Sequence, residues 1–207
     1  MYLPGHFVEQ RDDALLGLID AHPFATLLVP AAAGVVVNHM PMLRQDGLLH
    51  GHVARGNELA AMDGAEVVAL FHGPQAYVSP NWYPSKQETG REVPTWNYAV
   101  VHVYGRMRVV HDAAWLRRLL DRLTDRFEAT EPSPWQVADA PADHVRKMLG
   151  AIAGIEIGIE RVEGKFKLSQ NHPAANRAGV IAGLHRRAQG GDLTLAALMQ
   201  AQEASRT

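Results

Sequence analysis

The chain has no cysteine among its 207 residues. That one absence removes disulfides, thiolate zinc sites, iron–sulfur clusters and cysteine nucleophiles, and leaves the redox compartment open. A charge excess of either sign is missing as well. Twenty Lys and Arg stand against 22 Asp and Glu, with a pI near 6.6, so a nucleic-acid backbone would have to be met by a local basic patch. No apolar run approaches the roughly 18 residues of a membrane helix. The head Met1-Tyr2-Leu3-Pro4-Gly5-His6-Phe7 carries neither the basic nor the apolar region of a signal peptide, so we expect a soluble cytoplasmic protein with no membrane contact. Metal chemistry is also poorly provided for. There are 11 histidines but no His-Glu-x-x-His, and His50-Gly51-His52 lacks the third protein ligand zinc normally requires; we expect no metal. No glycine-rich dinucleotide fingerprint and no nucleophile elbow occurs.

What is present reads as a strand-rich domain. Ala14, Leu15, Leu18 and Ile19 lie at helical spacing within Glu9 to Ala21, and His22-Pro23 ends that pattern. Phe24 to Val29, Val35 to Leu43 and Leu48 to Val53 are short apolar runs, the last two divided by the hairpin signal Gln45-Asp46-Gly47. Ala54 to Leu59 opens a short helix, and Glu66 to Tyr77 and Tyr98 to Val110 form two longer strands. Closely spaced strands of this kind argue for a barrel. Asp112 caps a helix with Trp115, Leu116, Leu119, Leu120 and Leu123 on one face. Ala142 to Leu149 is a shorter helix, Ile152 to Val162 alternates as a half-buried strand, and two helices follow Pro173 and Gly190-Gly191-Asp192. Length and pattern together suggest a split domain over 1–172 with a helical extension over 173–207 packed on it.

The chemistry concentrates between Gly73 and Tyr104. Tyr77-Val78-Ser79-Pro80-Asn81-Trp82-Tyr83 is followed, across a polar loop, by Val93-Pro94-Thr95-Trp96-Asn97-Tyr98. A loop of this length inside a compact domain is usually functional, and rigid aromatics interleaved with amide and hydroxyl donors suit a flat ligand with polar edges. The competing reading is that these aromatics only close a barrel end.

Together, the head, His52-Val53-Ala54-Arg55-Gly56-Asn57, the Tyr77–Tyr83 run, Val93–Tyr98 and Lys165-Phe166-Lys167-Leu168-Ser169-Gln170-Asn171 resemble the PaiB-type FMN-binding negative transcriptional regulators. The resemblance spans nearly the whole chain, with one departure at Glu58, where many members have proline. It implies a mainly β, α+β fold, an FMN-binding split β-barrel like that of pyridoxamine-phosphate oxidases, assembled as a homodimer with FMN between subunits. Against that implication, Arg55-Gly56-Asn57 offers a guanidinium, a close backbone approach and a helix start for the FMN phosphate, or else a solvated turn and an ordinary N-cap. His52 lies on the strand leading into it. Trp82, Thr95, Trp96 and Asn97 suit the isoalloxazine ring. Lys165 and Lys167 point the same way along a strand and form a second cationic edge, which Ser169, Gln170 and Asn171 would complete. The function so implied is FMN binding with flavin-dependent redox activity and a regulatory phenotype. A DNA-binding regulator and a haem-binding split barrel are the alternatives. The catalytic residues and the redox partner are not named by the sequence, and the thin positive charge of the C-terminal helices argues against direct nucleic-acid contact.

Overall fold

The computed structural model describes residues 1–205. They form eight strands and six α-helices, in chain order β1 (Val8–Glu9), α1 (Asp12–Ala21), β2 (Phe24–Ala31), β3 (Gly34–Pro41), β4 (Leu43–Gln45), β5 (Leu48–Ala54), β6 (Glu66–Val78), α2 (Ser85–Thr89), β7 (Thr95–Val110), α3 (Ala113–Glu128), α4 (Ala142–Gly150), β8 (Ile152–Lys167), α5 (Ala174–Arg187) and α6 (Asp192–Ala204). The strands form one sheet in the order β3-β2-β6-β7-β8-β5-β4, with β1 paired to β8. The registered pairs are antiparallel, which fits the α+β barrel expected from the closely spaced strands.

The chain divides into two compact units. One comprises Met1–Ala21, His72–Val101 and Glu163–Thr207, the other His22–Phe71 and His102–Val162. The three longest strands, β6, β7 and β8, each contribute residues to both.

Within the second unit, the turn between β4 and β5 is the one the sequence signals. Asp46 and Gly47 both take positive φ, 51° and 76°, the left-handed pair a two-residue hairpin turn demands and that Asp-Gly tolerates. The turn sets the register Leu43↔His50, and β5 then pairs along β8 from Leu48↔Gly158 to Ala54↔Ile152. Asp112 caps α3 by accepting the Trp115 N–H at 2.6 Å, and Leu119 and Leu123 pack on Leu43 with Trp115 and Leu120 beside them. A Cβ on Gly154 would lie 2.2 Å from the Trp115 ring, so the missing side chain is what seats that indole on β8.

The first unit is built around the ends of the long strands. Strand β7 starts at Thr95, three residues earlier than periodicity alone indicates, because Val93-Pro94 interrupts the apolar pattern without stopping the chain from extending. Strand β8 runs on to Lys167, five residues beyond the alternating stretch. Thr95, Trp96 and Asn97 therefore sit on a strand rather than in a loop, and Lys165 and Lys167 lie on a strand as their alternation indicates. The connection between β6 and β7 contains helix α2, which closes on Gly90 in the left-handed region (φ 66°), a position that favours glycine. Along β7 the two faces differ. Val101 and Val103 are fully buried, whereas on the other face Val100 is buried and Tyr98, His102 and Tyr104 are half-exposed, so that face is only partly covered.

Candidate functional site

A cavity of about 240 Å3 opens in the first unit, lined by Phe7, Tyr83, Glu92, Val93, Thr95, Asn97, Lys167, Ser169, Asn171 and His172. Five residues singled out by sequence, Thr95, Asn97, Lys167, Ser169 and Asn171, meet here. Lys167 donates to Thr95 Oγ1 at 2.5 Å and to the Trp96 carbonyl at 2.6 Å, and its ammonium lies 6.0 Å from the centre of the Phe7 ring. Both acceptors are neutral. Burial, reinforced by the charge of Lys165, holds the Lys167 pKa below the usual lysine range. Lys165 is buried, donates to the Tyr2 carbonyl at 3.0 Å, and lies 5.4 and 5.6 Å from the Tyr2 and Tyr98 rings. Neither lysine has a carboxylate partner among the described residues, so the Lys167 ammonium on the cavity wall and the neighbouring Lys165 ammonium are met only by dipoles and aromatic faces.

Behind the wall is a buried polar network. The Asn97 amide donates to Ser169 Oγ at 2.9 Å and faces Met199 Sδ at 3.6 Å. Ser169 takes φ 65°, an uncommon value for a residue with a side chain, of the kind that collects at functional sites. Gln170 turns inward, accepting the Leu168 N–H at 2.7 Å and donating to the Phe166 carbonyl at 2.5 Å; its side chain holds the strand end in shape. The two tryptophans behave differently. Trp82 packs against α5, where a Cβ on Gly183 would come within 2.2 Å of its ring, and the Arg187 guanidinium lies 4.8 Å above it. Trp96 is half-exposed and meets Tyr77 edge-on at 6.3 Å, so of the two it is the ring still free to face a ligand.

Five cavity residues were not singled out by sequence: Phe7, Tyr83, Glu92, Val93 and His172. The Tyr83 ring stacks on His172 at 4.7 Å. Its hydroxyl is buried without a hydrogen-bond partner among the described residues, and burial raises its pKa, although the Ser169 hydroxyl is near enough to ease ionisation slightly. The proximity does not amount to hydrogen-bond geometry. Phe7, Tyr83 and Val93 stand at the ends of quoted motifs and Glu92 and His172 directly beside them, and nothing in their local pattern marks them apart from the aromatic and polar residues around them.

The remaining sequence candidates, His52, Arg55 and Asn57, belong to the second unit. His52 is half-buried on β5 with an unpartnered Nδ1, and burial lowers its pKa. Arg55 is exposed just past the strand, its backbone N–H donating to the Ala151 carbonyl at 2.8 Å. Asn57 accepts the Leu59 N–H at 3.0 Å, capping the short helical turn Glu58–Ala61, and donates to Asn38 Oδ1 at 2.7 Å. Its amide is thus engaged in holding the turn, while the Arg55 guanidinium is left to solvent.

The donor set of the cavity fits a flavin edge. An electron-rich ring edge or a phosphate matches a partly desolvated ammonium without a counter-ion, and the orphaned Tyr83 hydroxyl is a buried donor awaiting an acceptor. Thr95, Trp96 and Asn171 would hold that edge with the Lys167 charge beside it; the flavin itself would supply the redox chemistry. A family model described as “Putative FMN-binding domain” matches residues 1–161. An uncharacterised protein of Emericella nidulans is 33% identical over 225 aligned residues, which cover 88% of this chain and 90% of that one. The protease synthase and sporulation protein PAI 2 of Bacillus subtilis is 26% identical with 97% of each chain covered. Among solved structures, the FAD and haem binding protein from Mycobacterium smegmatis aligns with a TM-score of 0.62 at 21% identity, over 83% of this chain and 78% of that one. The chain belongs to the FMN-binding split-barrel family of the PaiB type, and FMN is its cofactor.

Proposed function

We propose that the protein is an FMN-dependent redox protein that works as a homodimer, and that a regulatory effect, where one occurs, follows from its flavin chemistry rather than from DNA contact. The observation that carries this reading is the pair of uncompensated ammonium groups at Lys165 and Lys167. A cation placed near the pyrimidine edge stabilises the charge that edge gains on reduction, which is a redox-tuning role as well as a binding one. The C-terminal helices support the indirect reading of regulation. Arg177 is engaged by Glu203 at 2.7 Å and the His172 carbonyl, and Arg187 by Asp192 at 2.6 Å and the Tyr77 carbonyl, so two of their cations are spent inside the fold. A recognition helix needs such cations free for phosphates.

FMN and riboflavin titrations of the apoprotein test the reading and locate the phosphate. Lys167→Met should weaken both ligands by about tenfold, the order expected for removing one partly desolvated charge beside the ring. Arg55→Ala should weaken FMN alone if the exposed guanidinium takes the phosphate, because riboflavin has none. Equal losses for both ligands in Arg55→Ala would move the phosphate elsewhere. Failure of the wild type to bind FMN would end the proposal.

A further inference from the structure

The cavity of the first unit is too small for FMN. At about 240 Å3 it falls short of the roughly 300–1,000 Å3 that drug-sized ligands occupy, yet exceeds the approximately 150 Å3 that accepts a benzene ring. A flavin can place only an edge here, and part of the lining is left without a role in holding it.

That part has its own chemistry. Glu92 Oε1 is fixed by Ser85 Oγ at 2.5 Å and by the Asn176 amide at 3.2 Å. Among the described residues its other oxygen, Oε2, has only His172 Nδ1 at 3.8 Å, and so keeps acceptor capacity. Two flat surfaces, the Phe7 ring and the stacked Tyr83–His172 pair, line the same space, and the Tyr83 hydroxyl is a buried donor with no acceptor. A cavity with an ammonium on its wall, a carboxylate also on its wall, flat apolar sides and room for one ring selects for charge and shape together.

We propose that this cavity binds a monocyclic aromatic acid bearing a hydroxyl or amino substituent, its carboxylate taken by Lys167 and Tyr83 and its substituent donating to Glu92. The molecule is the flavin's neighbour in the site, so this assignment rests on the FMN reading above. Benzoate lacks the donor for Glu92, and 4-hydroxybenzamide lacks the charge for Lys167. A site built to hydrogen-bond a hydroxyl discriminates strongly against the analogue without it.

Calorimetric titration of the FMN-loaded protein and of the apoprotein with 4-hydroxybenzoate, benzoate and 4-hydroxybenzamide tests the assignment. We expect 4-hydroxybenzoate to bind both forms, and each analogue to bind about tenfold or more weakly. Lys167→Met should abolish the preference for the acid over the amide, and Glu92→Gln the preference for the hydroxylated acid over benzoate. Tyr83→Phe should weaken the acid while leaving resistance to urea equal or higher, since it deletes a buried hydroxyl that has no partner; that pairing separates a ligand contact from a damaged fold. Equal affinity for the three probes, or no saturation by about 10 mM, overturns the proposal. Binding to the apoprotein alone, in competition with FMN, also overturns it and makes the cavity a flavin subsite. Binding of 4-hydroxybenzoate by a protein that does not bind FMN upholds the cavity's ligand and overturns the flavin reading instead.

Discussion

Burial sets the protonation of several histidines in the second unit, and the consequence is a pH-dependent stability. His22 and His52 have pKa values lowered from 6.5 by desolvation. His50 is lowered too, chiefly by burial; Glu156 works against the shift, while the nearby Arg122 and Arg108 guanidinium groups assist it. A histidine whose folded pKa lies below its unfolded value takes up protons more readily when the chain unfolds. Its contribution is therefore fully present above about pH 6.5 and is lost as pH falls through that value toward the folded pKa. The urea midpoint should drop between pH 7 and pH 5, and His22→Gln together with His52→Gln should flatten that drop, because glutamine cannot take the proton. An unchanged pH slope in the double variant would place the acid sensitivity elsewhere. The same residues show how far sequence reaches at this scale. Alternation along β5 puts His50 and His52 on one face, but only the packing of Trp115, whose ring meets His50 edge-on at 5.5 Å, reveals that the face is covered.

At the scale of elements, the contact of α5 with the Pro80–Trp82 turn rests on two glycines one helical turn apart. A Cβ on Gly179 would meet the Trp82 carbonyl oxygen at 2.1 Å, and one on Gly183 the Trp82 ring at 2.2 Å. Neither the carbonyl nor the indole can yield as the end of a flexible chain could. Gly183→Ala gains about 1 kcal/mol in helix propensity and loses about 1–3 kcal/mol to overpacking, so the variant should be destabilised in urea. Gly17→Ala is the matched control. That glycine lies within α1 with nothing inside 4 Å of the added carbon, and its replacement should stabilise the protein by up to about 1 kcal/mol. Equal effects at the two positions would refute the packing argument. Elements of this kind were legible where a local rule decides them: the Asp46-Gly47 turn, the Asp112 cap, and the alternation of Ile155 and Ile157 all read directly from the chain. The reach of β7 back to Thr95 was not, since partners in a sheet rather than local pattern keep that end extended. The cavity inherits that limit. Its strand-borne residues and Tyr83 belong to motifs, whereas Glu92 and His172 join it only through long-range contacts.

For the whole molecule, the sheet face formed by β3, β2 and β6 argues for a second copy of the chain. On β2, Phe24, Thr26, Leu28 and Pro30 share the outward face; through the registers Phe24↔Pro41, Leu28↔Val37 and Thr26↔Leu70 they meet their neighbours on β3 and β6. Phe24, Val35 and Val37 are 65%, 61% and 50% exposed, and Leu28, Val68 and Leu70 are only half-covered. Apolar patches beyond a few hundred Å2 are uncommon on monomers and mark interfaces, and a two-fold pair can cover one patch with its own copy. The half-exposed His102 and Tyr104 on β7 extend the same requirement. Sedimentation of the FMN-loaded protein at micromolar concentration should give a dimer, and Val35→Glu with Val37→Glu should give a folded monomer, because a charge carried into an apolar interface must be desolvated without a partner. A wild-type monomer with FMN bound would defeat the assembly outright. A dimer that survives the double substitution would move the interface away from β3, and the exposed face would then need a different partner.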